Sequence, residues 1–583
     1  NGEGKELKMS ELLEKALSST KLKFYIDDYL NVFIYAGAKS ITDRLPDFKS
    51  DGSGSNAPKL AAEADLTDAE KNFLNGKNSV QVETAIVGNI QNRIPDKNCV
   101  VRGRLTVKDT GEPLAGATVY ITETEKGVLT DQDGYFRLIL KPGTYSLRAN
   151  FISMKEKLIT LQVYSDGFIT IAIEKAVISI QEVTISARRN DNVEGMQMGF
   201  ERIVSKSMKE IPVALGERDL LKVATLLPGV QTAGEGSAGI IVRGGTADQN
   251  LFYLNKIPIY NTSHIFGFFT AFSPDVVNDF TLYKSSIPAN YGGRASSIFD
   301  ISTRQGNKKK LYGQGGISPV TGHFELEGPL KKDKTSFVVS ARSTYSDWLL
   351  SEMSDINLKN SNTSFYDFTA GINSELDIEN QIKLFGYRSM DRFTLSNTDD
   401  YHYANSGGSV SWKHLYPSSL TSDFSAVFSQ YWFNHNNKKN ISEAYSHKYL
   451  LNHAEIKADF SGLTAGDHKF RFGASAIYYD LDKGEILPYG TESTRIAVDL
   501  GKEKGIESAL YISDDFPVSP RLSLQGGLRY SFYGLLGPAV VNEYKPGRPR
   551  KAENITGSRS YGNNALIKTY SGPELRAAAN YKV

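Results

Sequence analysis

The chain has 583 residues, which at about 150 residues per domain predicts about four domains, or fewer if one is a large β-structure. Lys and Arg total 67 against 66 Asp and Glu, and the net charge of +1 provides no global field for nucleic acid or an anionic surface. A single cysteine, Cys99, excludes a disulfide framework and every multi-cysteine metal site.

Hydrophobic residues are 40% and charged residues 23%, enough to bury a core. Tyr (31), Phe (29) and Trp (3) make the chain 11% aromatic, with 51 Gly and a mean hydropathy of −0.33. Aromatic and glycine-rich but only weakly hydrophobic is the composition of a membrane β-barrel, in which alternate residues face water. No apolar run reaches 18 residues, so no helix is predicted to span a bilayer.

The first 36 residues predict a short helix, with Leu12, Leu13, Ala16 and Leu17 on one stripe and Ser10 as N-cap, followed by a hairpin around Asp27 and Asp28. This order resembles the second half of the short N-terminal domain of secretins and signalling TonB-dependent receptors. Residues 37–98 read as a linker or insert, flexible at 51–58 with a short polar helix at 67–75.

Short β-rich runs separated by turn residues over 99–176 predict a β-sandwich. Gly103, the runs 113–117 and 130–136, and Pro142-Gly-Thr-Tyr145 resemble the carboxypeptidase regulatory-like domain, which implies a non-catalytic module. Residues 177–195 follow as an extended β-branched strand and polar linker, the physics of a segment that a partner sheet captures by edge addition.

Residues 196–306 hold Leu227-Pro-Gly-Val230, Ile240-Ile-Val-Arg-Gly-Gly245, Leu251-Phe-Tyr-Leu254, Ile257-Pro-Ile-Tyr260, Phe280-Thr-Leu-Tyr-Lys284 and Tyr291-Gly-Gly-Arg-Ala-Ser-Ser297. In order and spacing these resemble the plug of TonB-dependent outer-membrane transporters, nearest the Bacteroidetes type with a regulatory-like sandwich in front. The resemblance implies that Glu182, Val183, Thr184, Ile185 and Ser186 form the TonB box, and that Arg243 and Arg294 meet acidic residues on the inner barrel wall. Where the family has Asp-Gly, this chain has Asn255-Lys256; Lys tolerates positive φ poorly, so a different turn geometry or a polar contact is expected there.

Gly234-Glu-Gly-Ser-Ala-Gly239 fits a dinucleotide fingerprint in letters only, because it leads into a strand and opens no helix. His264, alone before the barrel, reads as a structural histidine. No nucleophile, base and orienter set and no metal-ligand spacing occurs, so no enzyme, cofactor or metal is expected.

From 307 to 583 the period becomes 2. Phe337, Val339, Ala341 and Tyr345 oppose Ser336, Ser340, Arg342 and Thr344, and 468–479 and 521–532 repeat the pattern. The charged face must look into an aqueous lumen. About eleven such strands are counted, with one long polar loop at about 540–566, and the family's barrels close with about 22 strands. The chain is therefore expected to stop midway through a barrel, inside 574–583. The fold class is mainly β: a transmembrane antiparallel β-barrel, about half of it present, with an α+β plug and an N-terminal β-sandwich.

What the resemblance implies is an outer-membrane TonB-dependent importer of a scarce extracellular ligand, with its N-terminal domains in the periplasm. Its partners would be the TonB periplasmic domain, outer-membrane lipid, a small extracellular ligand, and an anti-sigma regulator or other outer-membrane subunits, with no nucleic acid. The alternative is a plugged-barrel scaffold or accessory subunit of an outer-membrane assembly or secretion complex without transport.

Overall fold

Alternation rather than helix propensity builds almost every element of the chain. The computed structural model describes residues 22–26, 32–36, 83–176, 200–205, 219–232 and 239–581, apart from positions 346, 353, 397, 465 and 520. The chain divides into two compact units, residues 1–79 and 80–583. In the first, Leu22–Ile26 pairs antiparallel with Val32–Ala36, the expected hairpin; the helix expected before it lies outside the described residues.

The second unit opens with a sandwich. One sheet runs Gly167–Ile173, Cys99–Val107, Tyr135–Leu140; the other runs Glu83–Val87, Lys157–Val163, Gly143–Asn150, Thr118–Ile121, Lys126–Leu129. Alternate residues such as Leu105, Ile121, Leu147, Leu161 and Ile171 fill the space between the sheets. Gly103 is fixed by packing, because a Cβ there would lie 2.2 Å from the Phe136 ring. The expected boundary at 99 is corrected: Glu83–Val87 pairs parallel with Lys157–Val163, so the sandwich draws a strand from what read as linker. Its partner lies about seventy residues away in sequence, and only Val87 of the strand is buried, so local composition held no signal for it.

The plug domain is a mixed five-stranded sheet in the order Phe200–Val204, Val277–Tyr283, Ser297–Thr303, Asn250–Leu254, Ile257–Ile259. Phe252 stacks on Phe299 with ring centroids 4.4 Å apart, and Phe272 and Phe280 complete its core. A short helix, Leu220–Ala224, is capped by the Asp219 carboxylate, which accepts from Leu221 N at 2.8 Å and Lys222 N at 3.2 Å. The Gly234–Gly239 run connects Val230–Thr232 to Ile240–Val242, two strands of one hairpin, and residues 233–238 lie outside the described residues.

Around the plug stands the wall, an antiparallel sheet of 14 strands among the described residues. Twelve follow one another from Tyr312–Ile317 to Leu566–Tyr581, one more than the eleven counted in the sequence, and Glu485–Pro488 and Val498–Asp499 branch from the path. The long polar loop expected at about 540–566 holds most of a hairpin, Ala539–Tyr544 with Ile555–Tyr561.

Period 2 sorts the two faces of the wall. In Thr335–Thr344, Ser336, Val338, Ser340, Arg342 and Thr344 are buried toward the plug, while Phe337, Val339 and Ala341 point away. On the outer face Leu510 is 68% exposed and Ile456 64%, exposure that only a lipid environment makes tolerable over so wide a surface. Trp412, Phe424, Phe460 and Phe472 form a row of rings there, with centroid spacings of 5.6, 5.7 and 5.0 Å. They belong to a girdle. No helix among the described residues is long and apolar enough to cross a membrane, which leaves crossing to the strands.

Candidate functional site

The plug meets the wall through residues 255–271 and again at 286–292, and the first contact begins at the turn Asn255-Lys256. Leu254 pairs with Ile257, so these two residues alone make the turn, at φ 45° and 72°. Two positive φ values define a type I′ hairpin turn, normally filled by Asn-Gly. Lys256 itself adopts the strained conformation, at a cost of about 1 kcal/mol. Polar contacts fix the turn. Asn255 Nδ2 donates to Thr303 Oγ1 at 2.6 Å, Thr303 N donates to Asn255 Oδ1 at 3.0 Å, and Lys256 Nζ reaches Asp423 Oδ1 of the wall at 2.7 Å.

Further along, Ser429 Oγ donates to Pro258 O at 2.6 Å, Tyr260 Oη lies 2.8 Å from His453 Nδ1, and Asn405 Nδ2 donates to Asn261 O at 2.9 Å. His264 is fully buried. Its Nε2 is 2.7 Å from Asp367 and its Nδ1 2.7 Å from Asp391, and its ring stacks on Phe365 at 4.0 Å. Burial opposes the imidazolium, but the two carboxylates outweigh it and lift His264 to about 9. A doubly bonded imidazolium between two carboxylates is a structural clamp, as the sequence reading of His264 expects. Among the described residues no group of three His, Cys, Asp or Glu side chains is arranged to hold a metal ion.

Among the described residues neither Arg243 nor Arg294 forms an ion pair with the wall. Arg243 is exposed at φ 51°, and the exposed Arg294 donates to Gly293 O at 2.8 Å. The charge comes instead from the wall. Arg529, 2% exposed, lies so close to Gly292 that a Cβ there would fall 2.4 Å from its Nε, and it donates to Ala289 O at 3.3 Å. Arg576 Nη1 donates to Ile287 O at 2.8 Å. Gly292 therefore serves to admit a wall arginine to plug backbone, while a Cβ at Gly293 would lie 3.4 Å from the Glu507 carboxylate of the wall. The missed partners Asp367, Asp391, Asp423, Arg529 and Arg576 carry one sequence signal, their place on the polar face of an alternating strand.

Past the plug, the same inward face is aromatic. Tyr401 stacks on His435 at 4.2 Å, Phe433 on Tyr449 at 4.9 Å, and Tyr403 faces Phe433 at 6.5 Å. By register these share the parity of Asp391, Asn405, Ser429 and His453, which touch the plug. They line the mouth whose connections, such as 483–501 and 537–565, are long. At the opposite mouth the connections, such as 376–379 and 416–420, are short, and there the sandwich sits. Trp412 and Trp432 both take the outer face, the girdle side. Glu182, Val183, Thr184, Ile185 and Ser186 lie outside the described residues.

Residues 101–185 match the model of the CarboxypepD_reg-like domain, and residues 202–297 match that of the TonB-dependent Receptor Plug Domain. The first match runs past 176 into the five residues expected as the box. Among solved structures, the chain is similar to the copper transporter OprC at 10% identity and TM-score 0.49, covering 65% of this chain and 60% of that one. It is similar to the siderophore receptor PirA from Acinetobacter baumannii at 13% and 0.46 (69% and 70%), and to the alcaligin outer-membrane receptor FauA from Bordetella pertussis at 12% and 0.46 (66% and 60%). The chain thus spans about 60% of the length of OprC. No curated protein sequence matches it. The matched proteins are receptors and transporters, not enzymes.

Proposed function

We propose that this chain, a TonB-dependent receptor by its regulatory-like and plug domains, imports a scarce ligand across the bacterial outer membrane. The observation that carries the reading is the character of the plug seat. Although Phe385, Tyr387 and Val427 of the wall extend the plug's apolar core, the segment 255–264 is held chiefly by ion pairs and hydrogen bonds to polar wall residues. Such contacts exchange for water without exposing a large apolar surface, so a plug seated this way can be moved and reseated. The short-turn mouth faces the periplasm, as short turns do in outer-membrane barrels, and the sandwich lies there. The long-loop mouth faces outward, and its inward Tyr, Phe and His rings suit a ligand with a flat or sugar-ring face.

TonB is the proposed source of force, acting on Glu182 to Ser186 by strand addition. A synthetic peptide spanning residues 176–190 should bind the periplasmic domain of the host's TonB, and Val183→Pro, which removes a ladder donor, should abolish binding. Absence of binding to every TonB the host encodes would withdraw energised import and leave a plugged scaffold as the better reading.

A further inference from the structure

The sandwich's turn at 130–134 enters the short-turn mouth of the wall. Asp131 shapes the turn, its Oδ1 accepting from Asp133 N and Tyr135 N, both at 2.9 Å. With the backbone so committed, the Asp133 carboxylate, 2% exposed, is left for the wall: it accepts from Lys413 Nζ at 2.5 Å and is paired with Lys383. Lys413 also reaches Asp131 Oδ2 at 2.9 Å, and Gln132 Nε2 donates to Asp300 of the plug at 3.0 Å.

Two flanking contacts set the angle of the domain. Arg104 pairs with Glu375 at the end of one wall strand, and Arg137 donates to Ser461 O at 3.1 Å and Oγ at 3.2 Å on another. Between sandwich, plug and wall lies a cavity of about 1390 Å3.

A domain that merely preceded the plug on a tether would have no reason to bury a carboxylate against two lysines of another domain. Burying that charge is costly unless it is fully paired, and here both cations come from the wall, with Gln305 Nε2 adding a hydrogen bond to Asp133 Oδ1 at 2.7 Å. Lys413 is also within electrostatic reach of Asp423, the partner of Lys256. A row of alternating charge, Asp133, Lys413, Asp423, Lys256, thus joins the sandwich turn to the strained plug turn.

We propose that the regulatory-like sandwich is a reversible stopper: its turn at 130–134 closes the short-turn mouth below the plug and is latched there by Lys383 and Lys413. An ionic latch suits a part that must leave and return, whereas an apolar one of the same area would stay shut. Closure itself does not depend on import or on the TonB box, so its test reads the mouth alone.

The native protein that carries this chain, with Cys99→Ser and any further cysteine replaced so that Ser411→Cys on the cavity wall is the one reporter, is reconstituted in liposomes with the sandwich side outward. Labelling by a membrane-impermeant maleimide is then timed. Asp131→Lys with Asp133→Lys should speed labelling about tenfold or more, as loss of a buried, paired charge implies. Adding Lys383→Glu and Lys413→Glu should restore the parent rate by reversing the latch. The isosteric pair Asp131→Asn and Asp133→Asn, which spares the fold, should also speed labelling. An unchanged rate in the isosteric pair would overturn the stopper, as would a charge swap that folds yet fails to restore closure.

Discussion

Lys256 carries two opposed energies in one residue. Its φ of 72° costs about 1 kcal/mol in a side chain with a Cβ, and its ammonium is held 2.7 Å from Asp423. Lys256→Gly should relieve the strain and lose the pair, leaving overall stability nearly unchanged while freeing the plug tip. Asp423→Asn keeps the strain and loses the pair, and should cost about 1 kcal/mol or more. Amide exchange at Ile257 and Ile259 in the membrane-embedded protein checks both, and should be faster in each variant.

His264 makes a second prediction at this scale. Because its folded value is raised to about 9, above the unfolded value of about 6.5, its contribution is complete below about pH 6.5 and is lost as pH rises through about 9. The groups facing it are Asp367, Asp391 and, through Asp367, Arg342. The thermal midpoint of plug detachment should therefore fall between pH 6.5 and 9, and His264→Gln should flatten that fall while lowering the midpoint at pH 6.

At the scale of elements, the alternating strands were legible because an inner face bathed in water and an outer face bathed in lipid impose period 2 on the residues themselves. Arg342 was placed on the polar face from sequence, Arg529 falls in the 521–532 run that repeats the pattern, and both point at the plug. Their partners were not legible, since Lys256 and Asp423 stand 167 residues apart and no local pattern ties one strand's polar residue to one plug residue. The Tyr291-Gly-Gly-Arg motif marked the right place and the wrong actor, because a glycine's role is what it lets approach. The same logic gives a prediction at the seat. A Cβ at Gly407 would lie 2.5 Å from Ile257 Cγ2, whereas one at Gly386, on the outer face, meets nothing nearer than 4.0 Å. Gly407→Val should cost about 1–3 kcal/mol and displace the plug edge strand, and Gly386→Ala should be tolerated, as unfolding in detergent would read.

For the whole molecule, a net charge of +1 conceals a strongly ordered distribution of charge. Acidic and basic side chains are spent in pairs between sandwich, wall and plug, so composition showed that there is no global field but could not show where the charges were used. The described residues on either side of segment 177–199 add a mechanical consequence. The segment leaves the sandwich just after Gly167–Ile173, an edge strand held to Cys99–Val107 over seven residue pairs, and enters the plug at Phe200–Val204, an edge strand held to Val277–Tyr283 over five. Tension applied within that segment is shared between the two seams, one at each end. The shorter seam lies on the plug side, so a rising load should peel Phe200–Val204 rung by rung while the sandwich remains a folded handle.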